Sequence, residues 1–460
     1  MKFKKIITLI CVLSLTIGTA YAIQDNKRPQ QNVVYTNEVH SVFSLEDCIN
    51  VAIENNPDIR ASIYNEQAYK SKIGQAWANY FPTISLGVEV SRTGNKYSHA
   101  KNLPYGYETM YTTMGYIPTV SADMLLFDFG KTKANADMAK NMYLASKENT
   151  KENINTIIYS IKSAYFNILF AQAQIKVYED TVKDYQLQLN QAWSFYKLGK
   201  KAKLDVVTAD YNLGKAKLNL VKAKNILEVA RVELSRIMGF PEYTNYELSD
   251  DLNLNTFDIT SENAIKMAMD VRPELISAEK RANAAKMNLR AIRREFTPDL
   301  GAFGRYSYGY GNNYNLSSAQ VGVGLNYNEL NILRLKKQIN EAKAEYEKSL
   351  AQYDGIKDSV YFNVKKAYLD LQTDKESIII AKLALDQAKE QYRQVTGRYK
   401  AGVGDAIELK DGENTYLNAR LDFYNAILNY NLAFANLEKE IGVPIKFSEN
   451  MIIKISPSEL

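Results

Sequence analysis

The sequence of 460 residues is poor in the residue types on which enzyme chemistry depends, since it has two cysteines and two histidines. His40 and His99 are isolated, and neither indicates a catalytic or metal-binding site. No nucleophile motif, no cysteine–histidine metal-binding spacing and no glycine-rich phosphate loop is found. These absences predict that the protein is not an enzyme and has no cofactor or metal site.

Long hydrophobic runs are also scarce, and the one at the N-terminus is typical of a signal peptide. Residues 1–22 combine three lysines, an apolar stretch at 6–17 and a small-x-small cleavage site at 20–22. Cleavage would leave Cys48 as the only cysteine, which excludes an intrachain disulfide. No later segment has the roughly 18 uninterrupted apolar residues of a membrane-spanning helix. The exported protein is therefore expected to be secreted, periplasmic or an outer-membrane β-barrel.

A surplus of one charge sign is missing as well. Without the three lysines of the signal peptide, 54 basic residues face 52 acidic ones. Nucleic-acid-binding proteins usually carry a clear basic surplus. We therefore expect no nucleic acid among the partners.

Two kinds of apolar periodicity divide the rest of the chain. Residues 23–43 are predicted to be an extended leader, followed by a helix that begins at Ser44, breaks or kinks at Pro57 and ends near Tyr80. Strict alternation of apolar and polar residues then predicts strands at about 83–92, 116–128, 299–310 and 319–328. The loop between the first two strands holds His99 and is rich in tyrosine: Tyr97, Tyr105, Tyr107 and Tyr111.

A seven-residue apolar repeat predicts two very long helices. The first, from Lys131 to Leu198, would extend about 100 Å at 1.5 Å per residue. Each helix ends at a glycine-containing tip, after which the chain returns; Gly199 marks the first tip, and Gly402 and Gly404 are expected to supply positive φ at the second. The repeating apolar positions are Ile154, Ile161, Ile168, Ile175, Val182 and Leu189 in the first helix, and Val364, Leu371, Ile378, Leu385 and Tyr392 in the second.

These elements occur twice in the same order, which indicates a tandem duplication of a helix–strand–strand–helix–helix unit. Prolines before the strands recur after 216 residues, and the Tyr-Lys-x-Gly tips recur after 203. The predicted repeats are 44–239 and 261–444, with an inter-repeat equatorial segment at 240–260 and a C-terminal tail at 445–460. The chain is predicted to be mainly α with a smaller membrane β part.

An oligomer follows from both parts of this prediction. Four strands cannot close a barrel, and open strand edges are not tolerated in lipid. Helices of about 100 Å with seven-residue seams cannot cover their apolar stripes in a monomer. A shared barrel that continues into a cylinder of helices would be a conduit.

The doubled pattern, from Leu45 to Pro444, resembles the TolC-type outer-membrane efflux proteins. The residues that carry the resemblance are the segment 126–131, Leu-Phe-Asp-Phe-Gly-Lys, and the two Tyr-Lys-x-Gly tips. The resemblance implies a homotrimer with a twelve-stranded barrel in the outer membrane and a helical tunnel in the periplasm. It also implies docking, at tips that include Gly199, Gly402 and Gly404, onto a periplasmic adaptor (membrane fusion protein) and an inner-membrane pump or ABC secretion ATPase.

The same resemblance implies a gate at the tips. Asp205, Tyr399, Glu408 and Asp411 match the family's gate residues, and the spacing of Glu408 and Asp411 places them on one helix face. Gly404 occupies the position of a gate arginine. An arginine–carboxylate link would then be either absent or replaced by one of three lysines at the first tip: Lys200, Lys201 and Lys203.

Other interpretations stay open beside the duct. Acidic residues such as Asp205 are also favoured at any helix N-terminus. Three strand tyrosines are predicted to form an interfacial aromatic belt, although tyrosine is common in strands anyway: Tyr306, Tyr308 and Tyr310. The main functional alternative is a trimeric coiled-coil surface protein without a transport role. Within transport, the cargo could be drugs, metal ions or a secreted protein.

Overall fold

The computed structural model describes residues 42–98, 108–240, 246–249, 254–255, 259–311, 314–327, 331–442 and 452–453. The elements discussed below belong to one unit, Phe43–Thr244 with Leu248–Leu460. Of the second unit, Met1–Val42 with Asn245–Glu247, only Val42, Tyr246 and Glu247 are described. The predicted signal peptide, most of the leader and tail, and the loop residues His99, Tyr105 and Tyr107 therefore lie outside the described residues.

The described residues of the first repeat form four helices and two strands. Asn56 has an extended backbone in front of Pro57, so the break predicted there separates two helices. The elements are α1 (Leu45–Asn55), α2 (Pro57–Trp77), β1 (Thr83–Ser98), β2 (Glu108–Phe127), α3 (Lys131–Lys197) and α4 (Lys203–Met238), with a 3₁₀ turn at Ala78–Tyr80.

The second repeat has the same order and nearly the same lengths. Helices α5 and α6 have 11 and 21 residues, like α1 and α2, while α7 has 69 against 67 for α3, and α8 and α4 both have 36. The elements are α5 (Ser261–Val271), α6 (Pro273–Arg293), β3 (Asp299–Gly311), β4 (Tyr314–Asn326), α7 (Ile332–Lys400) and α8 (Ala406–Ile441), with a 3₁₀ turn at Arg294–Phe296. Two-residue strands lie at Val42–Phe43, Glu247–Leu248, Leu254–Asn255 and Ile452–Ile453, and the last two pair with each other.

The four long strands form one antiparallel sheet in the order β1-β2-β3-β4, so the two repeats meet at the pairing of β2 with β3. β1 and β2 extend beyond the predicted strands, and Tyr97 and Tyr111 lie within them rather than in a loop. The prediction was wrong there because backbone pairing continues past the point where the apolar alternation stops. A bulge between Leu125 and Phe127 ends the regular register of β2.

The two faces of this sheet differ in chemistry. Residues directly opposite in the register share a face, and one face carries Ile84, Leu86, Val88, Val120, Met124, Val321, Val323 and Leu325, all of them exposed. The other face carries mostly polar residues and glycine, with Ile117 and Phe303 as apolar exceptions; on it, the Arg305 guanidinium lies 3.9 Å from the Asp123 carboxylate. Such a division, apolar on one side and polar on the other, is that of a membrane β-barrel wall.

The helices pack as two hairpins with short helices beside them. α3 packs against α4 and α7 against α8, while α3 also contacts α6 and α8. The predicted seams lie in these contacts: Ile161 and Ile168 of α3 and Val364 and Leu371 of α7 are buried. The seven-residue repeat thus identifies the packed stripe of both long helices.

A buried aspartate joins the sheet to α3. The Asp128 carboxylate accepts hydrogen bonds from the Tyr80 hydroxyl at 2.8 Å and from the backbone N–H groups of Gly130 and Thr132 at 3.0 and 2.5 Å. Gly130 has φ +84°, and a Cβ there would lie 2.4 Å from the Arg294 guanidinium, which donates to the Gly130 carbonyl oxygen. The junction therefore requires glycine for its backbone conformation, while a Cβ would also displace the end of the Arg294 side chain.

Equivalent positions of the two repeats bind the ends of α4 and α8. The buried Asn56 side chain donates to the Ile237 carbonyl oxygen at 2.8 Å and accepts from the Asp58 N–H at 2.8 Å, which caps α2. Its counterpart 216 residues later is Arg272, which donates to the carbonyl oxygen and the carboxylate of Glu440, the counterpart of Ile237. The duplication keeps the contact but changes its chemistry from an amide to a buried ion pair.

Arg272→Ala should therefore destabilise the protein more than Asn56→Ala. The first change removes the partner of the nearly buried Glu440 carboxylate. We expect it to lower the free energy of unfolding by about 3–5 kcal/mol. The second removes one helix cap and one hydrogen bond, and should lower the free energy of unfolding by about 1–2 kcal/mol. Lys343→Ala, which breaks an exposed pair with Glu347, is the control, with a change of about 0.5 kcal/mol or less. Denaturant unfolding in detergent measures all three, and equal losses would contradict the account.

Candidate functional site

The turn between α7 and α8 is held by backbone hydrogen bonds. The N–H groups of Val403 and Gly404 both donate to the Arg398 carbonyl oxygen, at 3.1 and 3.0 Å. Gly402 has φ +80° with open space around it, so glycine is needed there for conformation alone. Gly199 has φ +69° and the same open surroundings at the first tip.

Gly404 is required for lack of space, not for the positive φ that the sequence predicted. Its φ lies outside the left-handed range, so the expectation of positive φ was wrong. A Cβ at Gly404 would instead lie 2.7 Å from the Tyr399 nitrogen and 2.9 Å from the Arg398 carbonyl carbon. The turn packs directly on the last turn of α7, which leaves no room for an arginine side chain at this position.

An arginine–carboxylate link is nevertheless present at this tip, from a residue that the sequence analysis overlooked. Arg398 Nη1, in the last turn of α7, lies 2.8 Å from Glu408 Oε1, in the first turn of α8. The expectation that the link is absent or made by Lys200, Lys201 or Lys203 was therefore wrong for Glu408. The ten-residue separation across a turn was the signal that could have indicated the pair.

Tyr399 lies where the two tips approach each other. Its side chain is buried with Val395 and Leu409, and Lys201 of the first tip lies 4.4 Å from its ring centroid. Burial raises the pKa of the Tyr399 hydroxyl, and the negative charge of Asp205 in the first turn of α4 raises it further. The structure thus brings Asp205, Tyr399 and Lys201 together across the two hairpins.

The remaining acidic residues at the tips have separate positions. The Asp411 carboxylate is exposed, one turn beyond Glu408 on α8. Asp405, which the sequence analysis did not single out, caps α8 because its side chain accepts from the Ile407 N–H at 2.7 Å. An aspartate directly before an apolar-periodic run is a common cap signal. α4 has no comparable side-chain cap, so Asp205 in its first turn also fits the helix-dipole interpretation.

A polar cluster between the hairpins was also missed by the sequence analysis. Glu413 of α8 is 4% exposed, and its Oε1 accepts a hydrogen bond from Gln188 Nε2 of α3 at 2.6 Å. Nearby, the Tyr392 hydroxyl of α7 lies 3.5 Å from the Asp184 carboxylate of α3. Contacts across more than 200 residues leave no local sequence signal.

Burial dominates the acid–base properties of this cluster. It raises the pKa of Glu413 to about 7; the negative charge of Asp184 adds to the rise, while hydrogen bonds from Gln188 and Tyr185 reduce it. Burial also raises the pKa of Asp184, and neighbouring Asp180 acts in the same direction. Asp180 in turn forms an ion pair with Arg420 of α8 at 3.1 Å.

Two further properties bear on the kind of site this is. Among the described helices, none is both long and apolar enough to cross a membrane. The described residues also contain no group of three or more histidine, cysteine, aspartate or glutamate side chains arranged to hold a metal ion. The features that stand out are the two-faced sheet, the long hairpins and the charged tips.

A two-faced sheet joined to helices of about 100 Å defines the protomer of a membrane conduit. The chain belongs to the outer membrane efflux protein family, whose model matches residues 48–240 and 264–443. This is a family of outer-membrane channels, not of enzymes, and membership confirms the predicted mainly helical TolC-type fold.

Relatives named for different roles match most of the chain. The probable efflux pump outer membrane protein TtgC of Pseudomonas putida is 21% identical, over 87% of this chain and 83% of its own. The alkaline protease secretion protein AprF of Pseudomonas aeruginosa is 23% identical, over 87% and 85%. The open-state structure of the Neisseria gonorrhoeae MtrE outer membrane channel superposes with a TM-score of 0.71 at 20% identity, over 87% and 89%.

Gly404→Ala should loosen the second tip, because the added Cβ would press on the backbone of Tyr399 and Arg398. We expect a loss of about 1–3 kcal/mol in the stability of this turn. Hydrogen exchange of the amides of Val403 and Gly404 measures it. Gly355→Ala, in the middle of α7 with open space around it, is the control and should raise helix stability by about 0.5–1 kcal/mol. Unchanged exchange in Gly404→Ala would contradict the close packing described here.

Proposed function

We propose that the protein is a passive exit duct in which three chains share one barrel and one helical tunnel. The observation that carries this proposal is the four-stranded sheet, whose apolar face is exposed and whose edges within the described chain are β1 and β4. Lipid does not tolerate open edges, and three copies supply the twelve strands that a closed barrel of this family requires. The polar face then lines the lumen, and α3, α4, α7 and α8 extend the duct into the periplasm.

Exposed aromatic residues mark the height of the membrane band. Tyr116 and Tyr310 lie opposite each other on β2 and β3, and the far end of the sheet carries exposed Phe127 and Tyr327. The eleven residue-to-residue steps from Tyr116 to Phe127 span about 36 Å along the strand at ~3.3 Å per residue. A strand tilt of about 40° reduces this to about 28 Å, close to the ~25 Å apolar band of such barrels.

This assignment refines the predicted aromatic belt. Tyr310 belongs to one girdle together with Tyr116, whereas Tyr306 and Tyr308 lie two to four residues further along β3 towards the middle of the sheet. Four residues correspond to about 13 Å of strand, so the three tyrosines extend from the girdle into the band. The second girdle, at the sheet end next to the helices, consists of Phe81, Phe127, Phe129 and Tyr327.

A charge on the apolar face should prevent assembly in the membrane. Val321, 92% exposed and opposite Gly304, lies near the middle of the band. Val321→Arg should cost about 2–4 kcal/mol per chain in lipid. Ser318→Arg, on the polar face of the same strand, is the matched control and should assemble normally. The yield of heat-resistant trimer in vesicles is the measurement, and equal yields would contradict the face assignment.

We place the gate of the duct at the tips. Glu408 and Asp411 on α8 would contribute six carboxylates to a constriction around the threefold axis, and Arg398 would hold each Glu408 in position. Asp205, Lys201 and Tyr399 would connect the two hairpins of each chain. A ring of carboxylates favours the passage of cations. Repulsion between the like charges also raises the free energy of a constriction that brings them close together.

Glu408→Gln/Asp411→Asn should therefore reduce cation selectivity and change the conductance of single channels in a planar bilayer. The matched control, Glu228→Gln/Glu233→Gln, removes the same charge near the opposite end of α4 and should behave like the unmodified protein. Conductance that is the same in both double variants would keep the channel but place the constriction elsewhere. A correctly assembled trimer that conducts nothing would contradict the duct.

The duct would receive its cargo from a periplasmic adaptor and an energised inner-membrane pump or ABC secretion ATPase, with the tips at Gly199, Gly402 and Gly404 as the docking region. The relatives include both efflux and protein-secretion components. Membership of a channel family favours this function over that of a coiled-coil surface protein.

A further inference from the structure

Near the tips, each hairpin is held together internally by apolar contacts. In the first hairpin, Tyr185 of α3 packs with Leu213 and Ala216 of α4. In the second, Val395 and Tyr399 of α7 pack with Leu409 of α8. Burial of such side chains is favourable at any pH, so each hairpin tip behaves as a unit.

Polar groups, by contrast, connect one hairpin with the other at the same height. Gln188 of α3 bonds Glu413 of α8, Asp184 of α3 faces Tyr392 of α7, and Asp180 of α3 pairs with Arg420 of α8. These contacts lie within a single chain and need no second copy. Their strength depends on the charge state of the carboxyl groups.

Glu413 is the most deeply buried carboxyl group of this set, with Gln188 and Tyr185 as its hydrogen-bond donors. It is 4% exposed, and its Oε2 atom is buried without a hydrogen-bond partner, while Oε1 accepts from Gln188. A protonated carboxyl group tolerates such a site far better than an ionised one, because an ion loses its hydration there. Asp184 adds a second carboxyl group on the facing helix.

The other titratable groups around Glu413 come from all three helices. α3 contributes Asp180, Asp184 and Tyr185, and α7 contributes Tyr392. On α8 itself, Tyr416 stacks on Tyr392 with ring centroids 5.4 Å apart, and Arg420 is engaged with Asp180. The groove beside them is lined by Lys176, Lys183, Lys389, Arg393 and Lys400.

We propose that Glu413 is a positioning residue of the gate: its protonated form holds α8 against α3, and its ionisation separates the two hairpins near the tips. The role of Glu413 in gating rests on the proposed function. The contact between Glu413 and Gln188 is independent of it. Glu413 acts through the hairpin, since Glu408, Asp411 and Tyr399 lie on the two helices that it would release.

The direction of the pH effect follows from the raised pKa. The ordinary pKa of a glutamate is about 4.5 and that of Glu413 is about 7, so its contribution to the contact is complete below 4.5 and is lost as pH rises through 7. From pH 6 to pH 8, the ionised fraction would rise from about one tenth to about nine tenths. The tips should therefore be tighter in acid and looser above neutral pH.

Hydrogen exchange of the tip segment 398–412 tests this in the full trimer in detergent. Corrected for intrinsic rates, exchange should increase about three- to tenfold from pH 6 to pH 8 in the unmodified protein and stay constant in Glu413→Gln. The matched control is Asp210→Asn, the equivalent position 203 residues earlier, where the side chain is exposed on α4. It should keep the full pH dependence. Open probability in planar bilayers should follow the same profiles.

A double variant guards against a merely structural effect. Gln188→Glu/Glu413→Gln moves the carboxyl group to the facing helix and keeps the pair, so pH-dependent exchange should return. Exchange that depends on pH equally in the unmodified protein and Glu413→Gln, or a double variant without pH dependence, would overturn the proposal. If exchange follows the predicted pattern but no variant conducts, the positioning role of Glu413 stands and the proposed duct fails.

Discussion

The constraint on which this structure depends is the need to cover an apolar stripe along helices of about 100 Å. Ile161, Ile168, Val364 and Leu371 are covered within the chain by hairpin partners and by the shorter helices beside them. Other apolar residues of α4 and α7 stay exposed, among them Leu204, Leu218 and Phe362. The sheet has the same property, because its apolar face is exposed and no described residue pairs with the outer edges of β1 and β4. One chain is thus an incomplete wall, and the proposed trimer completes it.

Periodic features of this wall could be predicted from the sequence. Alternation over residues 83–92 and the seven-residue spacing from Ile154 to Leu189 are local signals, because one face of each element is apolar along its length. The offsets of 216 and 203 residues then identified the repeat. Strand ends were less predictable, since β1 and β2 continue where backbone pairing no longer needs an apolar side chain.

The residues that were missed depend on neighbours that are distant in the sequence. Arg398 and Glu408 meet only because the turn folds back closely at Gly404, and Gln188 meets Glu413 across 225 residues. The duplication could have revealed one such contact, since Asn56 and Arg272 are equivalent, as are Ile237 and Glu440. Their side chains differ so much that the equivalence is visible only in the backbone positions that they bind.

Apolar contacts hold each hairpin together near the tips, whereas weaker polar contacts connect one hairpin with the other. A contact made by apolar side chains changes little with pH, whereas hydrogen bonds between carboxyl, amide and phenol groups add little net stability and can be exchanged for water. The two hairpins can therefore separate near the tips without losing their internal packing. A gate needs this arrangement: an apolar contact between the hairpins would hold them closed, and polar contacts within each hairpin would let it fray. The exposed Asp210 and the buried Glu413 occupy equivalent positions, so only the second repeat places a carboxyl group at this position in a buried site.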